Sequence, residues 1–328
     1  LELKDRLAHL ATQMSVALPA DYPEALRIVV ASTETWDSGD PNDAFRGFVA
    51  WPLFHFVEKY GADHFAISMQ ALGVMTHLFS AEFAVRPFIA RYPVEAFAVL
   101  RSWTTSDDEH VRRLASEGCR PRLPWATRLD SLIRDPSPVF EVLEHLQDDS
   151  ALYVRRSVAN NLNDIAKDHP DVVIDTCERW LEGASQERQW IVKHATRTLV
   201  KAGHPRIWGL LGFERDPRVE VAKMAVNGSE LTIGSHFELT FELCSKADSD
   251  QRLSVDYAVH YVKANGKTRP KVFKLRELTL GADASVKLSS RQSLRQMSTR
   301  THHPGRHEIE VLVNGRSLGR VGFDLNAI

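Results

Sequence analysis

Val111–Trp125 reads VRRLASEGCRPRLPW, and 43 residues on Val154–Asp171 reads VRRSVANNLNDIAKDHPD. Val111, Leu114, Ala115 and Gly118 fall at i, i+3, i+4 and i+7, so one stripe of a helix is apolar or small and can be buried. Arg113, Glu117 and Arg120 share another face, which sets a carboxylate between two guanidinium groups. Gly118 and Pro121 then loosen the helix, and Pro124 and Trp125 follow at once. An acidic turn precedes each copy, Asp107-Asp108 and then Asp148-Asp149. A fainter copy opens at Ile191-Val192-Lys193, with Ile191, Ala195 and Leu199 at the offsets of Val154, Val158 and Leu162. Asp216-Pro217-Arg218-Val219 reads as the start of a fourth and weaker one.

Units of 37 to 43 residues with two helices each fit HEAT-like repeats stacked into an α-solenoid. Upstream, Leu3, Leu7, Leu10 and Met14 keep helical spacing, a second helical piece starts after Pro23, and the aromatics between Phe45 and Val85 read as core. Ser80 is placed to N-cap a short helix with Glu82 in its first turn, and Pro87 makes that neighbourhood irregular. Aligned by repeat, the polar positions of the second helices are Arg113/Glu117/Arg120, Arg156/Asn160/Asp164 and Lys193/Arg197/Lys201. Stacked in register, they would form a basic track holding two carboxylates; taken singly, each set also reads as a solvated helix face.

After Val226 the pattern changes. Asn227-Gly228-Ser229 is a turn, and alternation takes over at Phe237/Leu239/Phe241/Leu243, Leu253/Val255/Tyr257/Val259 and Ile309/Val311/Val313. Asn265-Gly266 and Asn314-Gly315 are hairpin signals. The spacing predicts an all-β immunoglobulin-like sandwich over 227–328, behind a helical-repeat domain over 1–226, without a Cys–Trp–Cys framework. Residues 227–328 carry 15 Lys+Arg against 11 Asp+Glu (+4), which leaves 26 against 32 (−6) for the helical part. Arg291–Arg306 (RQSLRQMSTRTHHPGR) reads as a basic loop, with Arg291, Arg295, Arg300, His302, His303 and Arg306.

The whole chain, at 328 residues and net charge −2, has the composition of a soluble protein. Three cysteines without CxxC spacing argue against a disulfide framework or zinc site and fit a reducing, cytoplasmic setting. No apolar run is long enough to span a membrane. Leu1 in place of Met leads us to expect the natural N-terminus upstream.

EGCRPRLPWA (Glu117–Ala126), VRRSVANNLNDIAKDHPD (Val154–Asp171) and RQWIVKHATRTLVKAGHPR (Arg188–Arg206) resemble the AlkC branch of bacterial DNA alkylation repair glycosylases, in the HEAT-like superfamily shared with AlkD. The likeness covers Leu1 to about Val226, and an immunoglobulin-like C-terminal domain occurs in part of that family. It implies a monofunctional DNA N-glycosylase that removes bases carrying a positive charge from alkylation: 3-methyladenine, 3-methylcytosine and 1-methyladenine. It also implies that the base is not fully flipped, unlike in the usual glycosylase. Carried onto this chain, the catalytic pocket would hold Glu82, Glu117, Trp125 and Asp164. Arg113, Arg120 and Arg156 would contact the backbone near the lesion, with Phe83 alongside. Lys193 and Arg197 on the track, and Arg291, Arg295 and Arg300 in the loop, complete the expected DNA contacts.

The residue types suit that chemistry. A cationic base leaves readily, so the site must stabilise the sugar oxocarbenium and place a water. A carboxylate about 4 Å from that charge, at an effective dielectric near 20, contributes about 4 kcal/mol, or roughly a thousandfold in rate. Glu117 or Asp164 can serve so, or act as base on the water. The Trp125 face against a cationic base adds about 0.5–2 kcal/mol. No metal, no cofactor and no membrane partner is expected; the partner is duplex DNA carrying alkylated bases, bound by a monomer. Cys119 reads as a helix thiol without a reactive role. The competing readings are a non-catalytic HEAT-repeat protein that binds damaged DNA, and a protein–protein scaffold. Carboxylates inside an arginine-lined face speak against both, because anion binding alone would be weakened by them.

Overall fold

The computed structural model describes residues 2–37, 39–40, 42–43, 45–297 and 301–327, and the chain divides into two compact units that meet at Thr196/Arg197. The first unit is helical: α1 (Leu3–Ala17), α2 (Tyr22–Ala31), α3 (Trp51–Tyr60), α4 (Phe65–Met75), α5 (Arg86–Arg91) and α6 (Pro93–Trp103). Then come α7 (Glu109–Gly118), α8 (Asp130–Arg134), α9 (Ser137–Leu146), α10 (Leu152–Ile165), α11 (Pro170–Leu181) and α12 (Gln186–Ala195). None is long and apolar enough to cross a membrane.

The repeat is visible in its hydrogen bonds. Arg112 donates to the carbonyls of Ser106 and Asp107 at 2.9 and 3.0 Å, and 43 residues later Arg155 donates to those of Asp149 and Ser150 at 2.8 and 2.7 Å. Each arginine thus ties the turn that starts its own helix. Arg112 also bridges to the next unit, gripping the buried Asp149 carboxylate with two N–H groups at 2.6 and 3.1 Å. Helix α10 consequently packs between α7 and α12, while α6 packs on α9.

Gly118 ends α7 where it passes closest to the 81–85 turn. A Cβ there would stand 2.5 Å from Val85 Cγ2. Gly118→Ala is therefore expected to cost about 1–3 kcal/mol by overpacking, read as a lower urea midpoint. Adding Val85→Ala should restore part of the loss; no recovery would show that the contact is not the cause.

The second unit opens with α13 (Arg197–Ala202) and α14 (Ile207–Leu210) and continues as β1 (Val219–Val226), β2 (Glu230–Thr232), β3 (His236–Ser245) and β4 (Gln251–Val262). β5 (Thr268–Leu280), β6 (Ser285–Ser293), β7 (Gly305–Val313) and β8 (Arg316–Asn326) complete it. Sheets of order β1-β3-β6 and β2-β8-β7-β4-β5 share one core, built from the alternating residues of β3, β4 and β7 together with Phe323 and Leu325. Asn314-Gly315 turns with both φ angles positive, 46° and 73°, as a two-residue hairpin demands. At Asn265-Gly266 only Gly266 is left-handed (φ 73°), so that loop is the longer kind closed by a glycine bulge.

Three expectations are corrected here. Asp216–Val219 does not start a fourth helical repeat: Val219 opens β1, pairs with Ser245, and places the first strand ahead of Asn227. α13 and α14 belong with the sheets: Trp208 of α14 packs against Gly315 of the β7–β8 turn, and in the segment that follows Asn314 Nδ2 donates to the Glu214 carbonyl at 2.7 Å. The helix expected to run from Lys193 through Lys201 is broken at Thr196. Its Oγ1 donates back to the Val192 carbonyl at 2.8 Å, a local bond that competes with helix continuation. Lys193 therefore ends one helix and Arg197 starts another in the second unit.

Candidate active site

Three carboxylates and three cations alternate along one line in the helical unit. Glu82 sits in the 81–85 turn, where its Oε2 accepts from Ser80 Oγ at 2.8 Å and pairs with Arg113 Nη2 at 2.9 Å. The same Arg113 nitrogen lies 3.6 Å from Glu117 Oε1, one turn along α7. Arg120 Nη1 donates to Glu117 Oε1 at 2.5 Å, and its Nε and Nη2 donate to Asp164 Oδ2 on α10 at 2.9 and 2.8 Å. Lys167 Nζ closes the line on Asp164 Oδ1 at 2.8 Å. Ser157, 40 residues from Glu117, donates to its other oxygen at 2.6 Å.

Burial makes this line costly unless every group is paired. Glu117 is 5% exposed, Arg120 7% and Asp164 2%. Burial pulls the pKa of Arg120 and Arg113 down, but the adjoining carboxylates outweigh it and hold both above the ordinary value. Arg113 also lies 4.8 Å over the Tyr153 ring of α10. The N-cap expected of Ser80 does not form: residues 81–85 are a turn, and α5 starts at Arg86 with Pro87 in its first turn. Ser80 instead accepts from Arg113 Nη1 at 2.7 Å and orients Glu82.

Arg86 carries no sequence signal, yet it organises the end of α7. Its guanidinium donates to the carbonyls of Gly118 (3.1 Å), Arg120 (2.7 Å) and Thr127 (2.7 and 3.0 Å). Burial lowers its pKa to about 10, so it stays charged at neutral pH. The loop it holds carries Trp125, a bulky residue at φ 65° and 72% exposed, whose carbonyl accepts from Lys4 Nζ at 2.8 Å. A left-handed backbone at such a residue costs about 1–3 kcal/mol and is kept only where the surroundings enforce it. Trp125 lines a cleft of ≈ 280 Å³ with Lys4, Trp51, His55, Phe83 and Arg86; Trp51 and Phe83 stack at 5.2 Å. The structure thus brings Glu82, Glu117 and Asp164 together with Arg113 and Arg120. It sets Trp125 and Phe83 on the cleft rather than in the ion-pair line.

Arg156 lies exposed on α10. In the second unit Arg291 belongs to β6, with Nη2 3.3 Å from His236 Nδ1, and Arg295 is exposed just beyond that strand. Arg300 lies outside the described residues. The expected basic loop is corrected at its histidines. His302 is buried and does not face a phosphate, and His303 is half-buried; just beyond the loop, His307 is buried too and packs on Phe323 with its pKa lowered by desolvation. Arg306 is in β7 and pairs with Asp324 at 3.0 Å. Cys119 is fully buried, which pushes its thiol up to about 12 and leaves it protonated. Among the described residues no cluster of three His, Cys, Asp or Glu side chains could hold a metal.

Residues 76–199 match the family described as DNA alkylation repair enzyme, and residues 220–327 match the C-terminal Ig-like domain of the uncharacterised protein YhaZ. The chain is 37% identical to the uncharacterized protein YhaZ of Bacillus subtilis (strain 168) over 325 residues, covering 99% of this chain and 88% of that protein. It is also similar to the solved structure of Pseudomonas fluorescens alkylpurine DNA glycosylase AlkC bound to DNA containing an abasic site analog. That likeness has 39% identity, 98% coverage of both chains and a TM-score of 0.83.

Proposed function

The chain belongs to the AlkC family of DNA alkylation repair proteins, and from that we propose that it is a DNA N-glycosylase opening base excision repair. It hydrolyses the N-glycosidic bond of cationic alkylated bases (3-methyladenine, 3-methylcytosine and 1-methyladenine), leaves an abasic site without cutting the strand, and does not fully flip the base. The helical unit acts as an α-solenoid whose second helices present the site.

The observation that carries this reading is the line Glu82–Arg113–Glu117–Arg120–Asp164, half-buried at Glu82 and Arg113 and buried at the other three. A protein that only grips phosphate gains nothing from three carboxylates in its face. A reaction that builds positive charge on a deoxyribose does, because preorganised anions in a dry site need not reorganise as the charge appears. Glu117 and Asp164 face that charge or activate the water. Arg120, bonded to both, works through them by fixing their oxygens. Trp125, outside the line, lays its ring against the cationic base. Phe83, Arg113 and Arg156 flank the lesion strand, and Lys193, Arg197, Arg291, Arg295 and Arg300 extend the contact along the duplex.

The full pairing of each carboxylate favours one other reading, a non-catalytic HEAT-repeat protein that binds damaged DNA. One experiment separates the two. The protein is incubated with methylated duplex without metal or cofactor, and released base is followed by chromatography. Free 3-methyladenine or 3-methylcytosine is expected; if both stay in the DNA while the duplex is bound, the enzyme reading falls.

A further inference from the structure

From 257 to 276 the chain carries six Lys or Arg residues and no Asp or Glu. This stretch is the β4–β5 hairpin, and every residue from Lys263 to Lys271 is exposed. Strand register sorts its charges. Tyr261 faces Arg269 and Val259 faces Lys271, while Lys263 N–H donates to the Lys267 carbonyl at 2.9 Å, which extends the same pairing to the tip. Directly opposed residues point to one side of a sheet, as do residues two apart. Lys263, Lys267, Arg269 and Lys271 therefore share one face. Lys267, Arg269 and Lys271 form a row with a step of about 7 Å, spanning roughly 14 Å. A DNA strand presents a phosphate about every 3.4 Å of axis, so such a row covers several consecutive phosphates.

β5 is the outer strand of its sheet, and charges with a proline at such an edge do guard against strand addition. Pro270 and one lysine would serve that purpose, and acidic residues would serve equally. Edge protection does not explain four cations of one sign on one face. The Arg291–Arg306 segment, by contrast, has His302 in the core and Arg306 paired with Asp324. Among the described residues the hairpin is thus the denser exposed basic surface of the two.

We propose that the β4–β5 hairpin is a sequence-independent contact for the phosphate backbone of duplex DNA, made by Lys263, Lys267, Arg269 and Lys271. The inference rests on the DNA-acting reading above, but its test needs only binding, not catalysis. Binding of a labelled abasic-analog duplex is measured across a salt series for the wild type and for the fourfold variant Lys263→Ala/Lys267→Ala/Arg269→Ala/Lys271→Ala. Each lost phosphate contact lowers the slope of log K against log salt by about 0.9, so a drop of about 2 to 4 is expected. The control is Lys223→Ala/Lys246→Ala, which removes two lysines paired with Glu242 and Glu220 and should leave the slope unchanged. An unchanged slope in the fourfold variant overturns the proposal, as does an equal loss per charge in the control. A wild type that binds no DNA overturns the functional reading itself.

Discussion

Glu117→Gln and Asp164→Asn should each slow base release about a thousandfold while binding to abasic-site DNA survives. The size follows from losing a full negative charge about 4 Å from the forming oxocarbenium, worth about 4 kcal/mol at an effective dielectric near 20. The shapes are kept. An amide oxygen in place of the Glu117 carboxylate still accepts from Arg120 or Ser157, and one in place of the Asp164 carboxylate still accepts from Arg120 or Lys167. Each change also weakens a buried charge-assisted bond, so a stability loss of about 1–3 kcal/mol accompanies it. Single-turnover kinetics at saturating enzyme, alongside urea unfolding, keeps the two effects apart. Equal losses of binding and release, or a normal rate in both variants, would remove these carboxylates from the chemistry.

Arg86→Met is expected to destabilise the helical unit by about 3 kcal/mol or more, though Arg86 meets no carboxylate in its hydrogen bonds. Its guanidinium satisfies the buried carbonyls of Gly118 and Arg120 at the end of α7 and the partly buried one of Thr127 in the following loop. Each acceptor left unsatisfied costs about 1–3 kcal/mol. Arg86→Lys should recover only part, since an ammonium cannot spread a planar fork over three acceptors. Trp125 sits on the loop so held, and excision should fall further than stability alone accounts for. The check is a urea midpoint together with excision measured well below it. A Met variant as stable as the wild type would show that the carbonyls find other donors.

The α7 and α10 helices and their polar faces could be read from Val111–Trp125 and Val154–Asp171 because a repeat writes the same contacts twice. Arg112 and Arg155 bond the same two turn carbonyls, 43 residues apart. The core strands were equally plain, since the side that faces the shared core imposes alternation of apolar residues on β3, β4 and β7, even though β4 is buried on both sides. His307 could have been placed inside by the same rule: it leads Ile309, Val311 and Val313 at every second position. Composition around it suggested a phosphate-binding loop, and composition does not know which way a strand faces.

Sequence by itself determined the helical region, the change to strands, and the nearness of Glu117 to Arg113 on its own helix and to Arg120 just beyond its end. These are local patterns, set by periods of 3.6 and 2 and by neighbours within one or two turns. Only the tertiary structure decided that Glu82, Glu117 and Asp164 join in one line through Arg113 and Arg120, and that Trp125 stands apart on a cleft. It alone decided that Arg86 is the support beneath them, and that four cations of one hairpin share a face. Those arrangements depend on bonds between residues far apart in the chain and on backbone carbonyls. A carbonyl is present at every residue, so no side-chain pattern marks the ones that a buried guanidinium will need.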